Sequence, residues 1–301
     1  MTKPYIAALI LGFLLTGIAS SVNAKPNATI IVVTTLPVLE DYVKQIGREH
    51  VTVTSLISGL ENGHNYALKP SDILEVRQAH MFVTIGAGLE IWANQLVKIA
   101  QNHSLEIVVA SKGIALLRNT GTIPTTHTKH ALGNPHVWLD PENAKSIVRQ
   151  ITTRLIKLDR SNQRTYLDNQ AEYLRTLDTL QTNIKHRVKK LSDRRFVSYH
   201  PAWPYFARRF GFKIAGNIIE QPEAEPSAKH LSALAQYIKK ERIKVIVSEP
   251  QLNQKIPRIL AEETGAHVVI LTANPGALPG TDTYTKMLQF NVSVLIKMLT
   301  H

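Results

Sequence analysis

From Pro141 to about Leu191 the chain reads as helix for about fifty residues with few breakers. Tyr173, Leu174, Leu177, Leu180 and Ile184 fall on one apolar stripe within it. On either side, β-rich runs alternate with segments of helical spacing. Before it come "ATIIVVTTLP", "LEDYVKQIG", "VTVTSLI", "KPSDILEVRQA", "HMFVTIG", "WANQLVKIAQN" and "LEIVVA"; after it come "RFVSYH", "AWPYFARRFG", "AKHLSALAQYIKKERI", "KVIVSEP", "KIPRILAEETG", "AHVVILT" and "TYTKMLQFNVSVLIKML". Continuous apolar runs such as Ile30 to Val33 suit strands covered on both faces, as in parallel sheets. The pattern predicts two α/β lobes with mostly parallel sheets, joined by one long α-helix. The expected division is residues 25–141, a linking helical segment at 142–192, and 193–301.

Residues 1–24 are set apart. One lysine, an apolar run from Ile6 to Ile18 and small residues ending in Val22-Asn23-Ala24 follow the order of a secretory signal, with cleavage expected after Ala24. The apolar run is short for a membrane span. With no cysteine in the chain, disulfides, thiolate metal sites, cysteine nucleophiles and lipid attachment at an N-terminal cysteine are excluded. An exported, soluble, periplasmic protein beginning near Lys25 is expected. The formal charge is +12, but Lys and Arg are scattered rather than massed. The densest runs, Lys185 to Lys190 and Asp193 to Phe196, read as a solvated face without an aromatic-rich strand beside them, so nucleic acid is not an expected partner.

Twelve histidines remain to be sorted. His50, His80, His103, His186, His230, His267 and His301 sit in polar or element-edge surroundings, as surface histidines do. His127 and His130 lie in the polar Thr/Gly/Pro-rich loop. Three are framed alike. His64, in "GLENGHNYALKPSD", follows a predicted strand and precedes a helix start. His136, in "GNPHVWLDPENA", precedes Asp140-Pro141, an N-cap followed by proline at the first helical position. His200, in "FVSYHPAWPYF", leaves a strand and enters a helix. Ligand sites of α/β sheets gather at the carboxyl ends of strands. The three could converge on one metal ion between the lobes, or serve singly as structural histidines.

The stretches "GHNYALKPSD", "GNPHVWLDPENA", "SYHPAWPYFARRFGF", "VIVSEPQLNQKIPRILAEETG" and "GTDTYTKMLQFN" resemble, in this order and spacing, the zinc/manganese family of solute-binding proteins of metal ABC importers. The resemblance implies two lobes bridged by a long helix, with metal held between them by His64, His136 and His200. Manganese-type members usually carry a glutamate where this chain has His200. Three neutral imidazoles suit zinc better than manganese, although other divalent transition metals would bind as well. The fourth ligand departs from the family pattern. An aspartate commonly follows the strand corresponding to "VVILT", where this chain has Thr272 and Asn274. Glu249 is the first substitute, Asp282 the second, and a bound water would also complete a tetrahedron; a helix-capping or inter-lobe role for Glu249 stays open. Glu61 and Asp72 flank His64 and could orient its ring. Trp138, Trp203 and Tyr199 are expected to pack around the site.

The function implied is a monomeric carrier that captures zinc in the periplasm and delivers it to an inner-membrane ABC permease, without catalysis. An adhesive surface protein of the same fold is the alternative. A zinc hydrolase using Glu249 or Glu61 as general base is a third, against which stands the lack of HExxH, Gly-x-Ser-x-Gly or a Gly-rich phosphate loop.

Overall fold

The computed structural model describes residues 29–118, 133–219 and 225–300. The signal segment and the histidines at 127 and 130 lie outside them. The first lobe is built from β1 (Ile30–Thr34), α1 (Pro37–Gly47), β2 (Val51–Ser55), α2 (Pro70–Gln78), β3 (Met81–Thr84), α3 (Ala93–Ala100) and β4 (Glu106–Val109). Its strands form one parallel sheet in the order β2-β1-β3-β4. All four residues of β3 are buried, and so are four of the five in β1. That explains their unbroken apolar sequence: a strand in the middle of a parallel sheet has no face for water.

The second lobe repeats the plan with β5 (Arg195–Ser198), β6 (Lys213–Asn217), β7 (Val245–Ser248) and β8 (His267–Ile270), all parallel in the order β6-β5-β7-β8. The helices are α6 (Pro204–Phe210), α7 (Ala228–Glu241), α8 (Lys255–Thr264) and α9 (Tyr284–Thr300). β6 carries little sequence signal. It is an edge strand of five half-buried or exposed residues with a glycine at Gly216, so neither alternation nor an apolar run marks it.

Between the lobes the helical stretch is two helices rather than one. α4 (Pro141–Leu158) ends at Asp159; a single 3-10 turn, Arg160–Asn162, reverses the chain into α5 (Gln163–Lys189), the 27-residue long helix, which packs back along α4. Asp159 makes the break. Its carboxylate accepts from the Asn162 N–H, the Asn162 side chain at 2.6 Å, the Tyr166 hydroxyl at 2.8 Å and Ser161 Oγ. An aspartate offering that many local acceptor bonds competes with the helical ladder and wins where the chain must turn.

One continuous core runs from the first sheet through α4 and α5 to α6, α9 and one face of the second sheet. It includes Val33, Leu39, Val83, Ile147, Leu177, Phe206, Val247 and Leu295. A smaller cluster around Val197, Ile238 and Ile246 lies on the other face of that sheet. The lobes thus share a core instead of hanging on a linker.

Candidate metal centre

Both sheets present the carboxyl ends of their strands to the cleft, and in each the order reverses about the first strand: between β1 and β3, and between β5 and β7. Loops leaving neighbouring strands on opposite sides of such a point part from one another and leave a crevice. His64 lies between β2 and α2, His200 follows β5, and Glu249 follows β7. His136 comes from the segment that crosses between lobes, immediately before the 3-10 turn Val137–Leu139.

The three histidines, far apart in sequence, meet. One ring nitrogen of each lies within 4.8 Å of the others, and all three residues are buried. Ring centroids are 5.2 Å apart for His136 and His200, 5.3 Å for His64 and His136, and 6.3 Å for His64 and His200. The planes cross at 71°, 54° and 89°, so the rings are splayed rather than stacked. His136 Nε2 and His200 Nε2 are 3.4 Å apart. Zinc–nitrogen bonds of about 2.05 Å in a regular tetrahedron require about 3.3 Å between ligand atoms. This edge is already near the spacing a tetrahedral ion needs.

Polar groups stand behind two of the rings. Asn134 Oδ1 accepts from the His136 backbone N–H at 3.0 Å and lies 3.1 Å from His136 Nδ1, while Asn134 Nδ2 donates to Pro201 O at 2.6 Å. Those bonds fix which end of the amide is oxygen, so His136 Nδ1 must donate and its Nε2 keeps a lone pair. At His200, Nδ1 lies 2.8 Å from Glu249 Oε1. That oxygen stands within ion-pairing distance of Nδ1 without hydrogen-bond geometry, and Nε2 of the same ring faces His136. Carbonyl or carboxylate behind imidazole is the arrangement that orients metal-binding histidines and raises their basicity. Glu249 is itself held by Trp203 Nε1 at 3.3 Å and Gln251 Nε2 at 3.0 Å.

The remaining candidates lie elsewhere. Asp282 is exposed and paired with Lys286 at 2.8 Å. Glu61 accepts from the Ser58 N–H at 2.7 Å and pairs with Lys69 at 3.3 Å; the Ser58 bond, then Lys69, hold its carboxyl below the usual range against the opposing effect of burial. Asp72 closes the first turn of α2, accepting from the Lys69 N–H at 2.7 Å and the Tyr66 hydroxyl at 3.1 Å. Among the described residues the convergent set contains no carboxylate. Trp138 lies 5.3 Å from the His136 ring, and Trp138, Trp203 and Tyr199 are buried as expected.

Three further groups support the site, and of these only Asp140 carries a sequence signal, as the N-cap before Pro141. Asn134 is one; its place two residues before His136 allows an Asx bond to the following backbone but does not reveal the ring contact. Asp140, fully buried, caps α4 through the Glu142 N–H and is forked by Arg209 Nε at 2.5 Å and Nη2 at 2.9 Å. That ion pair ties the His136 segment to the helix that follows His200. Glu90 is buried and accepts from Thr35 Oγ1 at 2.6 Å and the Ile85 and Gly86 N–H groups at 2.8 and 2.9 Å, joining the loops after β1 and β3. Burial pushes its carboxyl above the usual range despite those donors.

The family model described as ZnuA, zinc-uptake complex component A, periplasmic, matches residues 32–298. The high-affinity zinc uptake system protein ZnuA of Bacillus subtilis is 32% identical over 252 residues, covering 81% of this chain and 78% of that protein. The zinc-binding lipoprotein AdcA of Streptococcus pneumoniae is 26% identical over 94% of this chain, which spans 57% of that longer relative. Among solved structures, a zinc-bound deletion mutant of ZnuA superposes with a TM-score of 0.80 at 26% identity, over 90% of this chain and 98% of its own. A mutant of the laminin-binding adhesin Lmb from Streptococcus agalactiae gives 0.78 at 28%, over 89% and 98%.

Proposed function

The chain belongs to the family of periplasmic zinc-uptake complex components, and from that premise we propose that it captures a zinc ion between its lobes and delivers it to an inner-membrane ABC permease. The protein is a zinc-binding component of an uptake system and not an enzyme; the cargo ion is its substrate. His64, His136 and His200 are the ligands in this reading, each giving one ring nitrogen. The observation that carries it is the convergence of three buried ring nitrogens within 4.8 Å, two of them 3.4 Å apart. Glu249, placed against His200 Nδ1, acts as the group that orients and polarises that imidazole. The family's compartment is the periplasm; export by the segment ending at Ala24 and action as a monomer complete the proposal.

Zinc titration by calorimetry on the chain from Lys25, beside the His64→Ala/His136→Ala/His200→Ala variant, tests it. One tight site in the parent and none in the variant is the expected result; equal binding by both defeats the assignment. Likeness to the laminin-binding adhesin supports a second reading, adhesion through the outer surface. Laminin binding that survives loss of the three histidines would favour it.

A further inference from the structure

Beside the triad lies a chamber of about 270 Å³, walled in part by His64 and His200 themselves. Its other lining groups include Asn62, Asn65, Gln251 and Asn253, with Tyr199 and the apolar side chain of Ile256. A chamber this size exceeds several times the roughly 30 Å³ a water occupies. It holds a ligand of a few heavy atoms with its water.

The chemistry of the wall is directional. Asn62 Oδ1 accepts from the His64 N–H at 3.0 Å, and Asn253 Oδ1 accepts from the Lys255 N–H at 2.9 Å. In both, the backbone takes the carbonyl end of the amide and leaves the NH₂ end as donor. Asn62 and Asn253 thus bring donors to the wall, which suit an anion, while Gln251, whose NH₂ donates to Glu249, leaves its carbonyl end as an acceptor.

Charge calls for one. Three imidazoles are neutral, so a divalent ion bound by them alone keeps its whole charge in a buried site. Glu249, behind His200, offsets one unit. A buried charge without a counter-ion is costly, and three protein ligands leave a coordination position for an outside molecule.

We propose, resting on the zinc-uptake reading, that the chamber is a subsite for a small monocarboxylate that coordinates the bound metal. Its cargo is then a ternary complex of protein, zinc and carboxylate. The carboxylate supplies the missing charge, with one oxygen on the metal and the other facing the amide donors of Asn62 and Asn253. Glu225, exposed, is the single acid among the described lining residues. Its charge sets the preference against dianions.

The test uses cobalt as a spectroscopic stand-in for zinc, in carboxylate-free buffer, with acetate as the probe. Acetate should change the ligand-field absorption of the cobalt-loaded protein saturably, and native mass spectrometry should find one acetate per metal. Succinate should do so at least several-fold more weakly. Ile256→Trp, which fills the chamber and leaves the three histidines unsubstituted, should abolish the acetate response while cobalt and zinc still bind; Asn253→Leu, at an exposed position, should weaken it several-fold. Apo melting temperatures of both variants report whether the fold is kept. A cobalt spectrum indifferent to acetate, or a response unchanged in Ile256→Trp, overturns the subsite and leaves zinc uptake standing. Failure of cobalt and zinc to bind with or without acetate overturns both.

Discussion

At the residue scale, the imidazoles matter less as isolated donors than as donors with fixed backs. Asn134 hydrogen-bonds the His136 ring, and the Glu249 carboxylate stands 2.8 Å behind the His200 ring. Replacing Glu249 by glutamine keeps an acceptor but removes the negative charge beside His200 Nδ1. Partners of this kind typically control metal affinity by 10–100-fold. Glu249→Gln should therefore weaken zinc by roughly that factor, read by competition with a chelator of known affinity, with circular dichroism unchanged. Loss of affinity below threefold would mean that His200 is held by packing alone. The three histidines were legible as a set because His64 and His200 stand at strand exits and His136 before a helix start. Glu249 was legible as a carboxylate at a strand exit and a candidate fourth ligand, whereas Asn134 was not singled out. Which atom they face depends on how two lobes dock, and no local pattern records that.

At the element scale, Asp159 and Asp140 end and start α4. Burial alone would raise the Asp159 carboxyl, but bonds from Ser161, Asn162 and Tyr166 outweigh it and hold the group at about 2. The folded value lies below the unfolded one of about 3.9. Its contribution is therefore complete above the unfolded value and is lost as pH falls from there towards about 2. Asp159→Asn should cost about 1 kcal/mol at neutral pH, the usual worth of a cap. It should also flatten the fall in stability between roughly pH 4 and 2, as followed by urea denaturation at stepped pH. An unchanged acid limb would place the acid sensitivity elsewhere. Asp140 is harsher. Removing Arg209 leaves a fully buried carboxylate whose remaining cationic partner among the described residues is Arg208, at 3.4 Å. Arg209→Gln should destabilise the apo protein by about 3 kcal/mol; Asp140→Asn/Arg209→Gln together should restore part of that loss, measured in the same denaturation series. The alternation of strands and helices predicted seven of the eight strands. The missing strand, β6, and the break at Asp159 share a cause. Edge strands and tight helix reversals are decided by a few hydrogen bonds, whereas apolar periodicity reports only burial.

At the scale of the whole molecule, the question is how far the lobes move when the ion arrives. Trp138 Nε1 donates to Ala273 O at 2.7 Å, and the Tyr284 hydroxyl donates to Trp138 O at 2.7 Å. Asp41 on α1 accepts from the Tyr284 N–H at the start of α9 at 3.0 Å; burial raises its carboxyl, and the Tyr284 bond opposes that rise. At the cleft, a Cβ on Gly59 would stand 2.7 Å from Ala277 Cβ and 2.9 Å from Ala277 backbone atoms, so the two lobes already touch there. These bonds are buried and continuous with the shared core, and wide opening would break several at about 1 kcal/mol each besides exposing apolar surface. A hinge of the kind that closes through tens of degrees needs a few loop residues that absorb the change, and the crossing here is instead made by packed helices. Metal should therefore act by local ordering and mass action. Zinc in large excess over its dissociation constant should raise the melting temperature by several degrees. The radius of gyration from small-angle scattering, near 19 Å for a compact chain of this length, should differ by less than about 1 Å between apo and zinc-loaded protein. Gly59→Ala supplies the control: by forcing the loops apart against backbone, it should lower zinc affinity and leave the same small change on loading. A contraction of several ångströms in the parent would overturn the rigid reading and place a hinge within the helical hairpin.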